Sequence, residues 1–372
     1  MKYGRFGIAA ALVVTTLAVA GGAASYRRAQ PSRPAALLGR RPVPTPATGK
    51  IIRELAAGED QTCALYTNGT AVCWGSDPST GLTGRAVPVA PHRIEGVTDA
   101  VAIAVGNAHG CVLDADGRVS CWGYCDMACR AGNGPLLYSK ARRVEIVPRL
   151  AVMSVDTFGD TTCGVGAEDE ELHCWGVMSA TVSWFGDPVA ARLYHSGPRD
   201  FVGLRGRFEP HAHAGAVELM TSTTGVSCAR FADNHARCWS DGITNGEGKP
   251  FASLEAPREP VTRMWGAFAQ GCFVLASGGV ECHSSDGVIR PSLGSHGRAV
   301  SAAAAGNTIC ATTSDGSLVC QPHPRDVGGS VRAVISGTHH FCVLREDDAV
   351  YCWDEYGEAR PARVALPPSA GP

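Results

Sequence analysis

The chain has 372 residues and a formal net charge of −2, with its 33 Lys and Arg residues spread along its length. Charged residues are only 18%, which leaves no basic field for nucleic acid and no acidic field for cations. Sixteen cysteines with none left over after pairing point to an oxidising compartment and away from a reduced cytosolic enzyme.

Residues 1–24 read as an export signal. Lys2 and Arg5 form the charged end and Ile8 to Ala20 the apolar run, with small-residue cleavage sites at Ala18-Val19-Ala20 and Gly22-Ala23-Ala24. An uncleaved membrane anchor is the alternative, because Phe6 to Ser25 is nearly long enough to span. No cysteine follows the run, which argues against a lipid-anchored lipoprotein. Residues 25–50 are rich in Pro, Arg and Ala without a hydrophobic period, as in a flexible linker.

Residues 51–372 repeat one unit seven times: a glycine, then a cysteine, then a hairpin ending in a second cysteine. The pairs are Cys63/Cys73, Cys111/Cys121, Cys163/Cys174, Cys228/Cys238, Cys272/Cys282, Cys310/Cys320 and Cys342/Cys352. Opposed residues in an antiparallel hairpin have a constant sum of positions, so Cys63 and Cys73 are centred on Asn68 in a three-residue loop. Such loops place their third residue at positive φ. The copies supply Gly69, Gly117, Gly278 and Gly316, then Asn234 and Asp348, the residue types that enter that region at least cost. Facing cysteines lie within disulfide reach. One cross-strand disulfide per repeat is therefore expected, each worth about 2.5 to 3 kcal/mol in the chain-entropy model. Cys125 and Cys129 are expected to form a short loop disulfide. The spacings contain no C-x-x-C, which argues against structural zinc.

A short β-prone stretch precedes each pair and ends at Gly58, Gly106, Gly159, Gly225, Gly266, Gly306 or Gly337. Five repeats place a tryptophan after the second cysteine: Trp74, Trp122, Trp175, Trp239 and Trp353. Strand alternation turns that ring to the face opposite its neighbouring cysteine, where it packs between adjacent sheets. Three strands per unit are visible and a fourth is expected in the variable segment. Short strands at a period of about 40 to 50 residues argue for radial sheets that stack because none buries both faces alone.

The runs A-A-G-E-D-Q-T-C-A-L-Y-T-N-G-T-A-V-C-W-G at 56–75 and A-V-G-N-A-H-G-C-V-L-D-A-D-G-R-V-S-C-W-G at 104–123, with the last repeat from Gly337 to Trp353, resemble the regulator-of-chromosome-condensation repeat family. The resemblance extends over residues 51–372 and fades in repeats five and six, where His283 and Gln321 replace tryptophan. It implies a seven-bladed β-propeller, and the cysteine-paired form looks like an exported bacterial branch. The family's glycine-rich stretch survives only as Gly81-Leu82-Thr83-Gly84. The expected fold is thus an all-β, seven-bladed β-propeller with one cross-strand disulfide per blade. Two modes of ring closure stay open: packing alone, or completion of the last sheet by the N-terminal strand.

His109 and His340, just before a first cysteine, are explained by their place in the repeat. His211 and His213 alternate as in a metal site but lack a third ligand. Asp114-Ala115-Asp116-Gly117 looks like a calcium-loop fragment and Asn68-Gly69-Thr70 like a glycosylation acceptor, yet both occupy the hairpin turn, whose chemistry accounts for them. No G-x-S-x-G, H-E-x-x-H or phosphate loop occurs. Catalytic residues, cofactors and metals are therefore not assigned.

The longest insert follows Cys174 and carries Trp184, Phe185, Tyr194 and His195, followed by Phe201 and Phe208. Loops longer than closure requires, furnished with aromatics, suit a protein interface; covering an edge of the propeller is the other use. The segment from Tyr124 to Arg130, pinned by its own cysteines, is the second candidate. The expected function is a secreted, periplasmic or cell-surface binding scaffold without catalysis, monomeric, for an extracellular protein or a cell-wall glycan. Nucleic acid is not an expected partner, and the membrane enters only through an uncleaved anchor. The alternatives are a secreted propeller-type enzyme inhibitor and an enzyme with its site at the central mouth.

Overall fold

The computed structural model describes residues 51–59, 61–76, 88–106, 109–125, 136–143, 149–155, 160–168, 172–177, 215–221, 226–240, 256–267, 270–284, 287–355 and 360–368. The expected signal and linker lie outside them. Blade one holds β1 (Ile52–Ala57), β2 (Gln61–Tyr66), β3 (Ala71–Ser76) and β4 (Pro88–Arg93), and blade two holds β5 (Ala100–Val105), β6 (His109–Asp114), β7 (Val119–Cys125) and β8 (Leu136–Arg143). Blade three holds β9 (Leu150–Val155), β10 (Asp160–Gly166) and β11 (Leu172–Val177), and blade four β12 (Ala216–Thr221), β13 (Val226–Phe231) and β14 (Ala236–Ser240). Blade five holds β15 (Val261–Ala267), β16 (Gln270–Leu275), β17 (Val280–Ser284) and β18 (Gly287–Ile289), and blade six β19 (Ala299–Ala305), β20 (Thr308–Thr313) and β21 (Leu318–Gln321). Blade seven holds β22 (Val331–Ser336), β23 (His340–Arg345), β24 (Val350–Asp354) and β25 (Ala362–Arg363).

Each blade is one antiparallel sheet of consecutive strands. The first strand of every blade touches the first strand of the next, from β1 through β5, β9, β12, β15 and β19 to β22, and β22 touches β1. The sheets thus form a closed β-propeller, with first strands at the axis and later strands toward the rim. No helix among the described residues is long and apolar enough to cross a membrane.

The hairpin register follows the cysteine spacing. All seven pairs stand directly opposite, Cys163 against Cys174 included. Six disulfides are described in full, with Cα–Cα distances of 4.0 to 4.2 Å, and Cys163 is disulfide-bonded as well. The short spacing follows from the register. Tyr66 N donates to Thr70 O at the hairpin end. Counting back by twos puts Cys63 and Cys73 at a non-hydrogen-bonded pair, where antiparallel strands approach closest. The Cys125–Cys129 pair lies outside the described residues.

A rule for the blade interfaces emerges. Trp122 of blade two shares a hydrophobic cluster with Cys63 and Cys73 of blade one. Trp353 of blade seven does so with Cys310 and Cys320 of blade six, and Trp74 of blade one with Cys342 and Cys352 of blade seven. Each described tryptophan of the repeat therefore packs on the disulfide of the preceding blade. The side chains of Trp175 and Trp239 lie outside the described set. In blade five, His283 takes the tryptophan position, edge-on to Phe273 and 3.2 Å from Glu281 Oε2. In blade six, Gln321 donates from Nε2 to Ser292 O (2.7 Å), clasping the connection from blade five.

Cys238 is the more exposed end of its disulfide. Its bridge to Cys228 forms as the spacing requires, at a Cα–Cα distance of 4.0 Å, but the two ends differ. Cys228 is fully buried, whereas Cys238 is half-buried. Phe273 of blade five reaches the Cys228–Cys238 bridge in a shared cluster, and His283, at the tryptophan position beside it, has a smaller and more polar ring. Cys352 is half-buried too, although Trp74 packs on its bridge.

At Gly58 and Gly337 the glycine that follows the first strand has a steric cause. A Cβ on Gly58 would stand 1.8 Å from Gly106 O, and one on Gly337 would stand 2.1 Å from Gly58 O. Backbones meet there with no room for a side chain. The third hairpin residue has positive φ at Gly69, Gly117, Asn234, Gly278, Gly316 and Asp348. At five junctions its carbonyl accepts from the first strand of the next blade: Ala100 N on Gly69 O, Leu150 N on Gly117 O, Val261 N on Asn234 O, Ala299 N on Gly278 O and Val331 N on Gly316 O.

At closure from blade seven to blade one the third hairpin residue, Asp348, uses its side chain instead, beside one backbone bond from Thr338 N to Glu59 O (3.3 Å). The Asp348 carboxylate accepts from Ile51 N (2.8 Å) and Ile52 N (3.3 Å). Arg332 Nη2 bridges Asp348 Oδ1 and Ile52 O, both at 2.6 Å. Residues 364–368 then cross to blade one, where Tyr66 Oη donates to Pro367 O and Arg93 Nη2 to Pro368 O. Because β1 stays in its own sheet, the ring closes by packing and polar contacts rather than by completing a shared sheet.

Candidate binding site at the sixth blade

The sequence candidates separate clearly. Trp184, Phe185, Tyr194 and His195 lie outside the described residues, as do His211 and His213. Tyr124 has its backbone in β7, opposite Leu137 of β8, so the strand runs on into the start of that candidate segment. Leu137 and its neighbours supply the backbone partners that carry the strand past the second cysteine.

His109 and His340 are interface residues. His109 Nε2 and Thr162 Oγ1 share a hydrogen bond of 2.8 Å between blades two and three. His340 Nε2 and Thr62 Oγ1 repeat it at 2.6 Å between blades seven and one. His109 is fully buried, and desolvation lowers its pKa to about 4, so it is neutral near pH 7. Asp114 Oδ1 accepts from Asp116 N and Arg118 N, both at 2.8 Å, which is turn chemistry. Asn68 Oδ1 accepts from Thr70 N and Thr70 Oγ1 in the same way. Among the described residues no group of three or more His, Cys, Asp or Glu could hold a metal ion.

A different place gathers binding features. Blades one, two, five and seven have four strands, but blade six ends at β21. The expected fourth strand is absent there, although residues 287–355 are described throughout. The cause is length: residues 321–330 are all that separate Cys320 from β22, too few to run along the sheet edge and return. Beside Ser317 and Leu318 lies a cavity of about 390 Å³, walled also by His296, Asp315, Arg325 and Asp326.

Asp315 Oδ1 accepts from Thr313 Oγ1 (2.5 Å) and Ser317 N (3.0 Å). The Thr313 hydroxyl first, then the Ser317 amide, hold its carboxyl far below the usual carboxylate range. His296 Nδ1 stands 3.5 Å from Asp315 Oδ2. Asp326 Oδ1 accepts from Gly328 N at 2.8 Å. Gly329, at φ +68°, lies against the Arg345 guanidinium, and a Cβ there would be 2.6 Å from Nη2. The cavity is therefore lined by two carboxylates, together with His296 and the partly buried Arg325. Sequence reasoning missed this site because an absence builds it. The short gap after Cys320 was its one readable signal.

The sequence pattern of the regulator of chromosome condensation (RCC1) repeat matches residues 100–125, which span β5, β6 and β7. The ectodomain of the receptor kinase CR4 from Physcomitrella patens is similar in structure, at 15% identity and TM-score 0.51, over 81% of this chain and 72% of that one. The CRINKLY WD40 ectodomain of the Arabidopsis thaliana receptor kinase ACR4 is 16% identical over 84% of this chain and 97% of that one, at TM-score 0.49. Prp20p from Saccharomyces cerevisiae is 14% identical over 84% and 76% respectively, at TM-score 0.46. At such identities the likeness concerns architecture alone. The chain is thus a β-propeller whose second blade matches the RCC1 repeat.

Proposed function

We propose that the chain is an exported binding scaffold that recognises another macromolecule without catalysis of its own. The observation that carries this reading is the use of disulfides at every hairpin, six described in full and Cys163 bonded too. Disulfides persist in oxidising compartments, and a stapled ring loses little entropy when its edges and loops engage a partner. The polar residues of the repeat support the same reading. His109, His340 and Asp348 all bond across blade interfaces, where they hold the ring together. The partner class is an extracellular protein or a cell-wall glycan, and the propeller acts as a monomer.

The test is affinity capture from the extracellular fraction of the producing organism with the purified, oxidised chain, against a chain lacking residues 178–213. Enrichment of one macromolecule that the deletion abolishes supports both the scaffold and the aromatic insert as its contact. Enrichment unaffected by the deletion moves the contact off the insert. Turnover of a small substrate by the purified chain would overturn the non-catalytic reading.

A further inference from the structure

We propose that blade six accepts an extended, basic segment of a partner protein as its missing fourth strand. This rests on the scaffold reading above and names the chemistry of one of its contacts. The molecule itself shows what such an edge takes. In blades one, two, five and seven the outer strand pairs antiparallel with the third. Its register repeats one feature: an arginine beside the residue that precedes the second cysteine. Arg93 faces Val72, Arg143 faces Ser120 and Arg363 faces Tyr351. In blade five Ile289 faces Cys282, and Arg290, next along, bonds Glu281 at 2.8 Å.

The backbone follows the same plan. Ile94 N donates to Ala71 O in blade one and Val364 N to Val350 O in blade seven. Both donors bring aliphatic side chains into the adjoining hydrophobic clusters. Ala71 and Val350 stand two residues before the second cysteine, and the corresponding residue of blade six is Leu318. Among the described residues no strand pairs with the outer side of β21. An unpaired strand edge is a template for another chain.

Charge selects the occupant. In blade two, Arg143 reaches the turn carboxylate of Asp114, 3.9 Å away. In blade six Thr313 holds the place of Asp114, and the turn carboxylate is Asp315, two residues further on, which lines the cavity with Asp326. A lysine or arginine entering opposite Val319 stands about 7 Å along the strand from Ser317, a distance its side chain covers. There it reaches the cavity that Asp315 and Asp326 line together with His296 and Arg325.

The probe is a fluorescein-labelled synthetic peptide of residues 136–143, the protein's own β8, with a twin in which the residue corresponding to Arg143 is glutamate. Anisotropy is read against the full oxidised chain, and amide hydrogen exchange locates the contact. The expected result is saturable binding with new protection at Leu318 and Cys320. Asp315→Asn with Asp326→Asn should weaken binding about tenfold, the loss of a charge-assisted contact, and the glutamate peptide should bind more weakly still. Thermal unfolding and disulfide mapping confirm that the double variant is folded. Protection confined to other edges, self-association through β21, or no binding at millimolar peptide overturns the proposal. A natural partner captured equally by the parent and by the double variant sinks the sixth-blade assignment and leaves the scaffold reading standing. Capture by neither sinks the scaffold reading and this proposal with it.

Discussion

His109 shows how one side chain is committed to architecture. Its ring is fully buried and bonded to Thr162 of the next blade, and burial lowers its pKa from 6.5 to about 4. Above pH 6.5 the ring is neutral in both folded and unfolded chains and adds no pH dependence. As pH falls from 6.5 toward 4 the unfolded chain takes up a proton that the folded chain refuses, so stability drops. Below about 4 both states hold the proton and the loss levels off, at about 3 kcal/mol. His109→Gln keeps a donor for Thr162 but does not titrate. Thermal unfolding from pH 7 to 4 should show a smaller decline for His109→Gln than for the parent. Parallel declines would show that His109 is not the group responsible.

At the scale of the hairpin, much was legible because the unit is local. Cysteine spacing alone sets the register, and the residue types at the third loop position report positive φ. The blade interfaces were partly legible: tryptophan position predicts packing between sheets, but the preceding disulfide as its partner is a relation between distant segments. Outer strands were illegible. Their arginines lie at different distances from the cysteines, 20 residues after Cys73 and 22 after Cys121, so only the register aligns them. The hairpin also explains why the positive-φ residues are not interchangeable. A Cβ on Gly117 would stand 2.7 Å from Leu150 O, whereas Asn234 holds the same conformation with a side chain, which accepts from Arg230 Nη1 at 3.2 Å. Gly117→Asn should therefore cost more than about 1 kcal/mol in denaturant unfolding, and Asn234→Gly well under that. Equal costs would show that the approach of the next blade does not matter. Non-reducing peptide mapping checks the same unit independently, and should join Cys163 to Cys174.

At the scale of the ring, one junction differs from five others. Where backbone carbonyls join blades in mid-chain, the closing junction relies on the Asp348 carboxylate and on Arg332, with 13% and 19% of their side chains exposed. A covalent chain leads from each blade to the next elsewhere, so those junctions join segments much nearer in sequence. Blade seven and blade one lack that link, and their contact joins residues nearly 300 positions apart. Loop-closure entropy makes such a contact the most demanding to form, and a charged pair with four polar bonds compensates. Removing one partner leaves the other partly buried without its counter-charge, a change costing about 2 to 3 kcal/mol at this exposure. Asp348→Ala should lower denaturant stability by that amount and expose β1 and β22 to hydrogen exchange before β12 or β15. Asp348→Asn, which keeps an acceptor for Ile52 N, should retain more of the protection. Uniform loss across all blades would mean that the ring opens anywhere with equal ease, and that this latch is not what holds it shut.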